Sequence, residues 1–334
     1  MNIPSKRLLK KILCQNLQFI SRRSITSEEL GRQNDLFVAE RKRQIEKVGR
    51  IEKIEVEHIG PNETTVLVMN KNLSTPYDCA KHLGETFMKR SAVALINQTT
   101  LWHMHKPIPE SCKLELLHYH AQQANLVNKV YWRTCSFLLG AVISTAFKDD
   151  VEVRLHSFPS PNVRSGSFVY DVQLSLDNWE PKANELKVLS IEMIKFCQQN
   201  HPLHCLDVSV DFALEIFKKN PHKTKQIPDI AANNSGKITL FKVGQHIDIS
   251  KGPMVTNTSH IGRFTVSNIF KLDTDIEGGG IYRFQGVSLP SSLVLDHFSY
   301  GILEERAKEK NPAKIPGSQV IVNEDDSFVS NMAV

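Results

Sequence analysis

The spacing of apolar residues alternates between strand-like and helix-like periods along most of the chain, which restricts the fold to a mixed α+β class. Pro76 marks the first turn of an early helix, where a missing N–H costs little. Two strands, this helix and further short strands within about 70 residues predict a β-grasp, ubiquitin-like module over residues 51–121. These elements are expected at residues 51–59, 65–69, 74–88, 92–96 and 113–119.

A second helix is predicted from Asn128 to Phe147. Its apolar residues recur at three- and four-residue intervals, which indicates a buried helix: Cys135, Leu138, Leu139, Val142, Ile143, Ala146 and Phe147. Strands and helices then alternate, so residues 125–290 are predicted to form a mixed α+β domain, and residues 291–334 a last helix (293–310) and a loose polar tail. The strands are expected at 151–158, 167–174, 206–210, 237–243, 247–249, 263–270 and 281–284, and the helices at 185–199 and 212–218.

The net charge of +5 comes from the first 26 residues, which carry six basic side chains and no acid. Removing these six from the 41 basic residues leaves 35 against 36 acids, a net charge of −1. A basic, acid-free segment with interleaved serines and apolar residues is typical of a mitochondrial transit peptide, so cleavage near Arg22, Arg23 or Ile25 is expected. A basic arm retained in the mature protein is the alternative. The near-neutral remainder gives no global electrostatic case for wrapping nucleic acid.

Residues 27–50 are predicted to form a basic helical arm. Its exposed cations are candidates for contact with RNA phosphates, and docking of a solvated helix on its own domain is an equally good interpretation. The candidate residues are Arg41, Lys42, Arg43, Lys47 and Arg50. Elsewhere, the longest uncharged apolar run has 14 residues (134–147), too short for the roughly 18 of a membrane span. We therefore expect no membrane partner.

Four stretches in the second domain carry a resemblance to a known family. They are GSFVYD (166–171), VSVDFALEIFKKN (208–220), GQHIDISKGPM (244–254) and YRFQG (282–286). In this order, after a β-grasp module, they resemble the N-terminal half of threonyl-tRNA synthetase, with its TGS domain and its editing-type domain. The resemblance covers about residues 51–290 and implies those two folds.

The chain departs from that family where the editing chemistry resides. The resemblance implies two histidines, four residues apart on the buried helix, and a cysteine and a histidine that flank a Gly-Pro turn. Here the matching positions hold Arg133, Phe137, Ser250 and Met254. Arg and Phe do not ligate Zn²⁺, Ser is a poor ligand, and a Met thioether is soft and neutral. We therefore expect a pocket without catalytic residues, metal or cofactor, and no small-molecule substrate.

After Gly286 only 48 residues remain, fewer than a synthetase catalytic domain requires. A non-catalytic, mitochondrial, synthetase-like chain resembles the family of protein thirty-nine of the mitochondrial large ribosomal subunit. The segments that match it are NDLF (34–37), EKIEV (52–56), VMNKN with STPY (68–72 and 74–77) and RFQGVSLP (283–290). That resemblance implies a structural ribosomal protein of the matrix that supports mitochondrial translation, is not an enzyme, and has rRNA and large-subunit proteins as partners.

Other patterns leave alternatives open. His103 with His105, and His118 with His120, lie near or on predicted strands and face one side in pairs, which is compatible with a metal site. Exposed strand histidines are commoner, and the same holds for the loop that contains His201, His204 and Cys205. Two other functions also stay open: a free-standing mitochondrial aminoacyl-tRNA deacylase, and a tRNA-binding regulator without catalysis.

Overall fold

The computed structural model describes residues 27–60, 63–121, 123–148, 150–176, 179–272 and 278–315, and the transit peptide predicted over residues 1–26 lies outside them. Helices and strands alternate, so the α+β class is confirmed. The helices are α1 (Ser27–Lys47), α2 (Pro76–Leu83), α3 (Glu85–Arg90), α4 (Ala124–Ala146), α5 (Ala183–Gln198), α6 (Val210–Ile216), α7 (Pro221–Ala232) and α8 (His297–Arg306). The strands are β1 (Lys53–Ile59), β2 (Thr64–Asn70), β3 (Val93–Ile96), β4 (Thr100–Trp102), β5 (Cys112–Leu117), β6 (Val153–Ser157), β7 (Phe168–Leu174), β8 (Leu203–Ser209), β9 (Lys237–Val243), β10 (His246–Ile249), β11 (Ile261–Leu272) and β12 (Gly280–Pro290).

The first sheet has five strands in the order β2-β1-β5-β3-β4. Strands β1 and β5 run parallel, and the other neighbours run antiparallel. The inward side chains of β1 and β5 pack with Cys79 and Ala80 of α2 in one small core. A capping box at Thr75 and Asp78 fixes the start of α2.

The chain does not form the single helix predicted over residues 74–88. The backbone at Gly84 has φ of +130°, a value that interrupts α-helical hydrogen bonding, so α2 ends there and α3 begins. The sequence-based prediction missed this break because it followed the apolar spacing across the glycine.

Two further sheets pack around α4. One has three strands in the order β10-β9-β8, and the other has four in the order β11-β12-β7-β6. Most residues of α4 are buried, as its apolar stripe predicts. The large core around α4 also takes in Leu95 and Leu117 of the first sheet, so the two parts of the chain share one hydrophobic interior.

Several boundaries differ from the sequence-based expectation. Helix α7 was not predicted, because its two prolines and its polar residues hide the helical period; Pro221 occupies its first turn and Asn220 caps it. Strand β8 ends at Ser209, whose side chain caps α6, so Val210 is helical. Helix α4 starts at Ala124, ahead of Asn128, and α8 is shorter than residues 293–310.

The polar segment after α8 is tied to the four-stranded sheet. Buried Arg283 of β12 donates to the carbonyl oxygens of Asn311 and Ala313. The Gln285 amide donates to the carbonyls of Ala307 at 2.6 Å and Glu309 at 2.7 Å. The tail is therefore bound through Ala313, and residues 316–334 lie outside the described range.

Candidate functional site

Helix α4 meets the turn at Gly252 and Pro253 where the resemblance predicts the former editing pocket. Arg133 lies on the side of α4 that faces this turn, and its Nη1 donates to the Pro253 carbonyl oxygen at 3.3 Å. Burial lowers the pKa of Arg133. Its guanidinium thus occupies the space between helix and turn and stabilises the packing of one against the other.

Phe137, one turn along α4, fills the interior behind Arg133. Its ring is fully buried and lies 5.0 Å from the His246 ring and 6.4 Å from the Phe241 ring, centroid to centroid. Phe241 packs against Gly252, whose φ is +61° and where an added Cβ would collide with that ring. An aromatic cluster therefore occupies this side of the turn.

Ser250 and Met254 flank the turn and are both buried. The Ser250 hydroxyl accepts a hydrogen bond from the Gly252 amide at 3.3 Å, which holds the turn closed. Met254 has no exposed surface and packs in the large core. The sequence-predicted positions thus converge on one turn, and each makes a packing or backbone contact there. These contacts stabilise the turn.

A buried charge cluster next to this region was missed by the sequence analysis. Lys223 of α7 lies 2.5 Å from Asp248 of β10, with side-chain exposures of 3% and 1%. The Tyr170 hydroxyl donates to the same carboxylate, and Lys223 Nζ lies 3.3 Å from that hydroxyl. Burial and Asp248 raise the pKa of Tyr170 well above its usual value. The only sequence signal for this cluster was Asp248, an acidic residue between two isoleucines.

A second buried ion pair joins neighbouring strands. Arg283 of β12 and Asp171 of β7 are directly opposite in the antiparallel register. The guanidinium donates to both carboxylate oxygens, at 2.8 and 2.7 Å. Burial raises the pKa of Asp171, and Arg283 opposes that effect. This fork-to-fork pair joins β12 to the middle of β7, and the same guanidinium binds the segment after α8.

His103 and His105 are not exposed strand residues, so that interpretation is wrong for them. The His103 ring is buried between the two parts of the chain, with Nδ1 2.9 Å from the Met254 carbonyl and Nε2 2.7 Å from the Leu203 carbonyl. His105 Nε2 lies 3.1 Å from the Thr256 carbonyl. Burial lowers the pKa of His103 to about 4 and of His105 to about 3. Both rings therefore join the first sheet to the segment around Met254.

The other histidines that were considered for a metal site lie in two places, after β5 and around the start of β8. The rings of His118 and His120 are 6.4 Å apart in the turn after β5, and His201 Nε2 bonds to Gln199. His204 stacks near His105 at 5.4 Å. Within the described ranges, no three His, Cys, Asp or Glu side chains are placed to hold a metal ion together.

Helix α1 docks on the three-stranded sheet. Phe37 is buried in the core of that sheet, and Arg32 donates to the last carbonyls of α6, at Glu215 and Ile216. All five candidate RNA-contact residues are exposed: Arg41, Lys42, Arg43, Lys47 and Arg50. Two of them have acidic partners, since Arg43 pairs with Glu40 at 2.6 Å and Lys42 with Glu46 at 3.8 Å. The arm thus docks on its own fold, as one interpretation predicts, and contact of its exposed cations with RNA stays a prediction.

None of the described helices is both long enough and apolar enough to cross a bilayer. No family model matches the sequence. The chain is 25% identical over 251 residues to threonine–tRNA ligase 2, cytoplasmic, of Homo sapiens, which covers 74% of this chain and 29% of the ligase. It is 26% identical over 231 residues to a probable cytoplasmic threonine–tRNA ligase 1 of Dictyostelium discoideum, which covers 68% of this chain and 30% of that ligase. The chain thus spans about a third or less of these ligases.

A much stronger likeness is to the large ribosomal subunit protein mL39 of Drosophila melanogaster. The two are 48% identical over 291 residues, which is 87% of this chain and 87% of that protein. An identity this high, over nearly the full length of both proteins, is a family relationship. The chain belongs to the mL39 family of large ribosomal subunit proteins.

Proposed function

We propose that this chain is a structural constituent of the mitochondrial large ribosomal subunit and supports translation in the matrix. The observation that carries this proposal is the 48% identity to mL39 over 87% of both chains. The protein is not an enzyme: it is a non-catalytic relative of the N-terminal part of threonyl-tRNA synthetase. Its partners are other large-subunit proteins and rRNA.

The geometry of the former pocket supports a scaffold role. Arg133, Phe137, Ser250 and Met254 make a hydrogen bond to the turn, an aromatic cluster and core packing. A hydrolytic site needs a positioned base or metal beside space for water. We therefore interpret these as positions where packing replaced catalysis and left the fold in place.

We also propose the domain plan that the synthetase resemblance implies. Residues 51–121 would be a TGS-like β-grasp domain, and the strand order β2-β1-β5-β3-β4 around α2 supports this. Residues 125–290 would be the editing-like domain without its catalytic set. Residues 1–26 would be the removed transit peptide, 27–50 the basic arm, and 291–334 the C-terminal helix and tail.

The exposed side of α1 is the proposed rRNA contact. Arg41, Lys47 and Arg50 are exposed on an arm that Phe37 and Arg32 hold against the rest of the fold. A rigidly docked helix presents cations to phosphates without an ordering cost. Triple reversal of these residues to Glu should lower the ultraviolet crosslinking yield to large-subunit rRNA at least five-fold. Reversal of the exposed Lys187 and Lys195 on α5 is the matched control.

The ribosomal role is tested by sedimentation. Mitochondrial lysate is fractionated on a sucrose gradient at moderate salt, and we expect this chain in the large-subunit peak after a salt wash. A peak only near the top of the gradient would contradict the proposal. It would favour the deacylase or the tRNA-binding regulator, which are then separated by hydrolysis of seryl- or threonyl-tRNA and by binding of free tRNA.

A further inference from the structure

Helix α8 is apolar on two opposite sides, and the described part of the chain covers only one of them. On the inner side, Tyr300 is fully buried, and Leu303 and Ala307 pack with it against β12. On the outer side, large apolar side chains face solvent at the helix and at its N-terminal approach. Their exposures are 91% for Val294, 42% for Leu295, 78% for Phe298 and 56% for Ile302. We call these four residues the outer face of α8.

The helix that carries these exposed side chains is held firmly by hydrogen bonds to the four-stranded sheet. The Thr265 hydroxyl on β11 lies 3.1 Å from the Tyr300 hydroxyl and donates to Glu304 at 2.6 Å. At the end of α8, the Ala307 carbonyl accepts from Ser267 and Gln285, each at 2.6 Å. The outer face is therefore fixed before any partner arrives, which lowers the entropic cost of binding it.

Gly301 lies between the two largest residues of this face. A side chain there would meet no atom within 4 Å, so the chain's own packing does not require a glycine. Glycine within a helix costs about 1 kcal/mol relative to alanine. The result is a notch flanked by Phe298 and Ile302, of the kind that admits a side chain from a second helix packed across it.

We propose that the outer face of α8 binds an amphipathic helix of a neighbouring large-subunit protein, an inference that rests on the proposed ribosomal role. The ring of Phe298, the branch of Ile302 and the notch between them match a ridge of apolar side chains on another helix. A helix that is apolar on both sides is normally buried on both sides.

The apolar character of this face favours a protein over RNA. The charges at its ends are mixed, since the exposed carboxylates of Asp296, Glu305 and Glu309 are accompanied by the exposed cations Arg306, Lys308 and Lys310. Lys308 pairs with Glu305, at 2.5 Å. RNA phosphates therefore find no excess of positive charge here, whereas a partner helix can cover the apolar residues and place Lys or Arg residues, one turn from its apolar anchors, against Glu305 and Glu309.

The size of the face argues against a second copy of this chain. Four side chains fall well short of the roughly 800 Å² per partner that a stable free dimer buries. Such a face is sufficient as one contact within an assembly that holds the protein at several places. This is the situation of a ribosomal subunit component.

The experiment places a photo-crosslinking phenylalanine analogue at position 298 of the tagged full-length chain in cells. Large subunits are isolated on a gradient and irradiated, and the crosslinked peptide is sequenced. We expect a peptide of a different ribosomal protein that is helical there and carries Lys or Arg within a turn of its apolar residues. Crosslinks to rRNA, to residues 316–334, or to a second copy would each overturn the proposal, and so would no crosslink.

A double variant tests the energetic contribution. Phe298→Ser with Ile302→Ser should lower the fraction of the chain in the large-subunit peak at least ten-fold, while the thermal midpoint of the purified protein stays unchanged. Ile191→Ser on α5, which is 49% exposed, is the control and should incorporate normally. If wild type and double variant both incorporate, this inference alone fails. If wild type itself is absent from the subunit, the proposed function fails.

Discussion

At the residue scale, the turn at Gly252 and Pro253 shows how a pocket becomes part of a core. Phe137 and Met254 have no exposed surface, and Phe241 packs where any side chain at position 252 would collide with it. Side chains buried in this way contribute to the core through close packing. Packing thus maintains the turn, and we expect substitutions of its residues to change the free energy of unfolding.

Arg133→Ala tests that interpretation. The variant removes the hydrogen bond to the Pro253 carbonyl and the packing of the aliphatic stem, so we expect a loss of about 1–2 kcal/mol in the free energy of unfolding. Urea titration measures it, and Lys129→Ala, exposed one turn earlier, is the control with little change. A hydrolytic rate on any aminoacyl-tRNA that the variant loses would contradict the scaffold interpretation.

Lys223→Met tests the buried charge cluster. The substitution leaves Asp248 buried with only the Tyr170 hydroxyl as a side-chain donor, so we expect unfolding to become about 3–5 kcal/mol easier. Adding Asp248→Leu should restore part of that loss, because the uncompensated charge is then gone. Lys225→Met, exposed on the same helix, should change stability by about 0.5 kcal/mol or less. A loss below 1 kcal/mol for the first variant would show that the pair is not holding α7 against β10.

At the element scale, the segment after α8 works as a strap. Arg283 and Gln285 of β12 together bind four of its carbonyl oxygens, at Ala307, Glu309, Asn311 and Ala313. Buried Asn311 adds to these contacts by donating to Ser165 and Ser167, just before β7. The backbone carbonyls of this segment have no strand partner, and side chains supply their hydrogen bonds instead. These bonds fix the position of α8.

Asn311→Ala should loosen this strap. The buried amide group contacts three acceptors at 2.7 to 3.0 Å, and the loss of these hydrogen bonds should cost about 1–3 kcal/mol. Hydrogen exchange of the α8 amides should become faster, while exchange in α4 should change little, because α4 is held by the large core. Asn125→Ala, exposed at the start of α4, is the control. Unaltered exchange in α8 would show that the helix is held by Tyr300 packing alone.

The elements with one strong local signal could be predicted from the sequence. The apolar stripe of α4 and the alternation in β1 are examples, since burial of one face imposes their period. Helix α7 lacks such a signal. One of its prolines lies in the first turn and the other at an exposed position inside the helix. Its buried apolar residues are Ile227 and Ala231, too few to show a helical period. The partners of Lys223 and His103 lie 25 and 100 or more residues away, and no local pattern encodes such pairings.

At the scale of the whole molecule, the two parts of the chain fold against each other. Leu95 and Leu117 of the first sheet enter the core around α4, and His103 bridges to the carbonyls of Leu203 and Met254. The Thr256 hydroxyl donates back to the Ser91 carbonyl at 2.6 Å. A rigid body of this kind suits a protein that positions neighbours, because its surfaces keep a fixed relation to one another.

The same packing makes the folded state sensitive to acid. Burial lowers the pKa of nine described histidines, six of them strongly. The pKa falls to about 4 for His103, His156, His204, His246 and His260, and to about 3 for His105. In the unfolded chain they titrate near 6.5. Between these pKa values the unfolded state binds more protons than the folded state. The contribution of these histidines to the free energy of unfolding is therefore fully present above about pH 7 and is lost as the pH drops toward 4.

We therefore expect the free energy of unfolding, from urea titrations at pH 7, 6 and 5, to fall by at least about 3 kcal/mol per pH unit between pH 6 and 5. That slope corresponds to roughly two or more protons at 1.36 kcal/mol each. His246→Phe removes one such group beside Phe137 and should flatten the slope by about 1.4 kcal/mol per pH unit. His120→Gln, exposed after β5, should leave it unchanged. Carboxyl groups with a lowered pKa, such as Glu29 at about 2, change the stability only at lower pH. A free energy of unfolding that stays constant from pH 7 to 5 would therefore mean that these histidines are not buried as the fold requires.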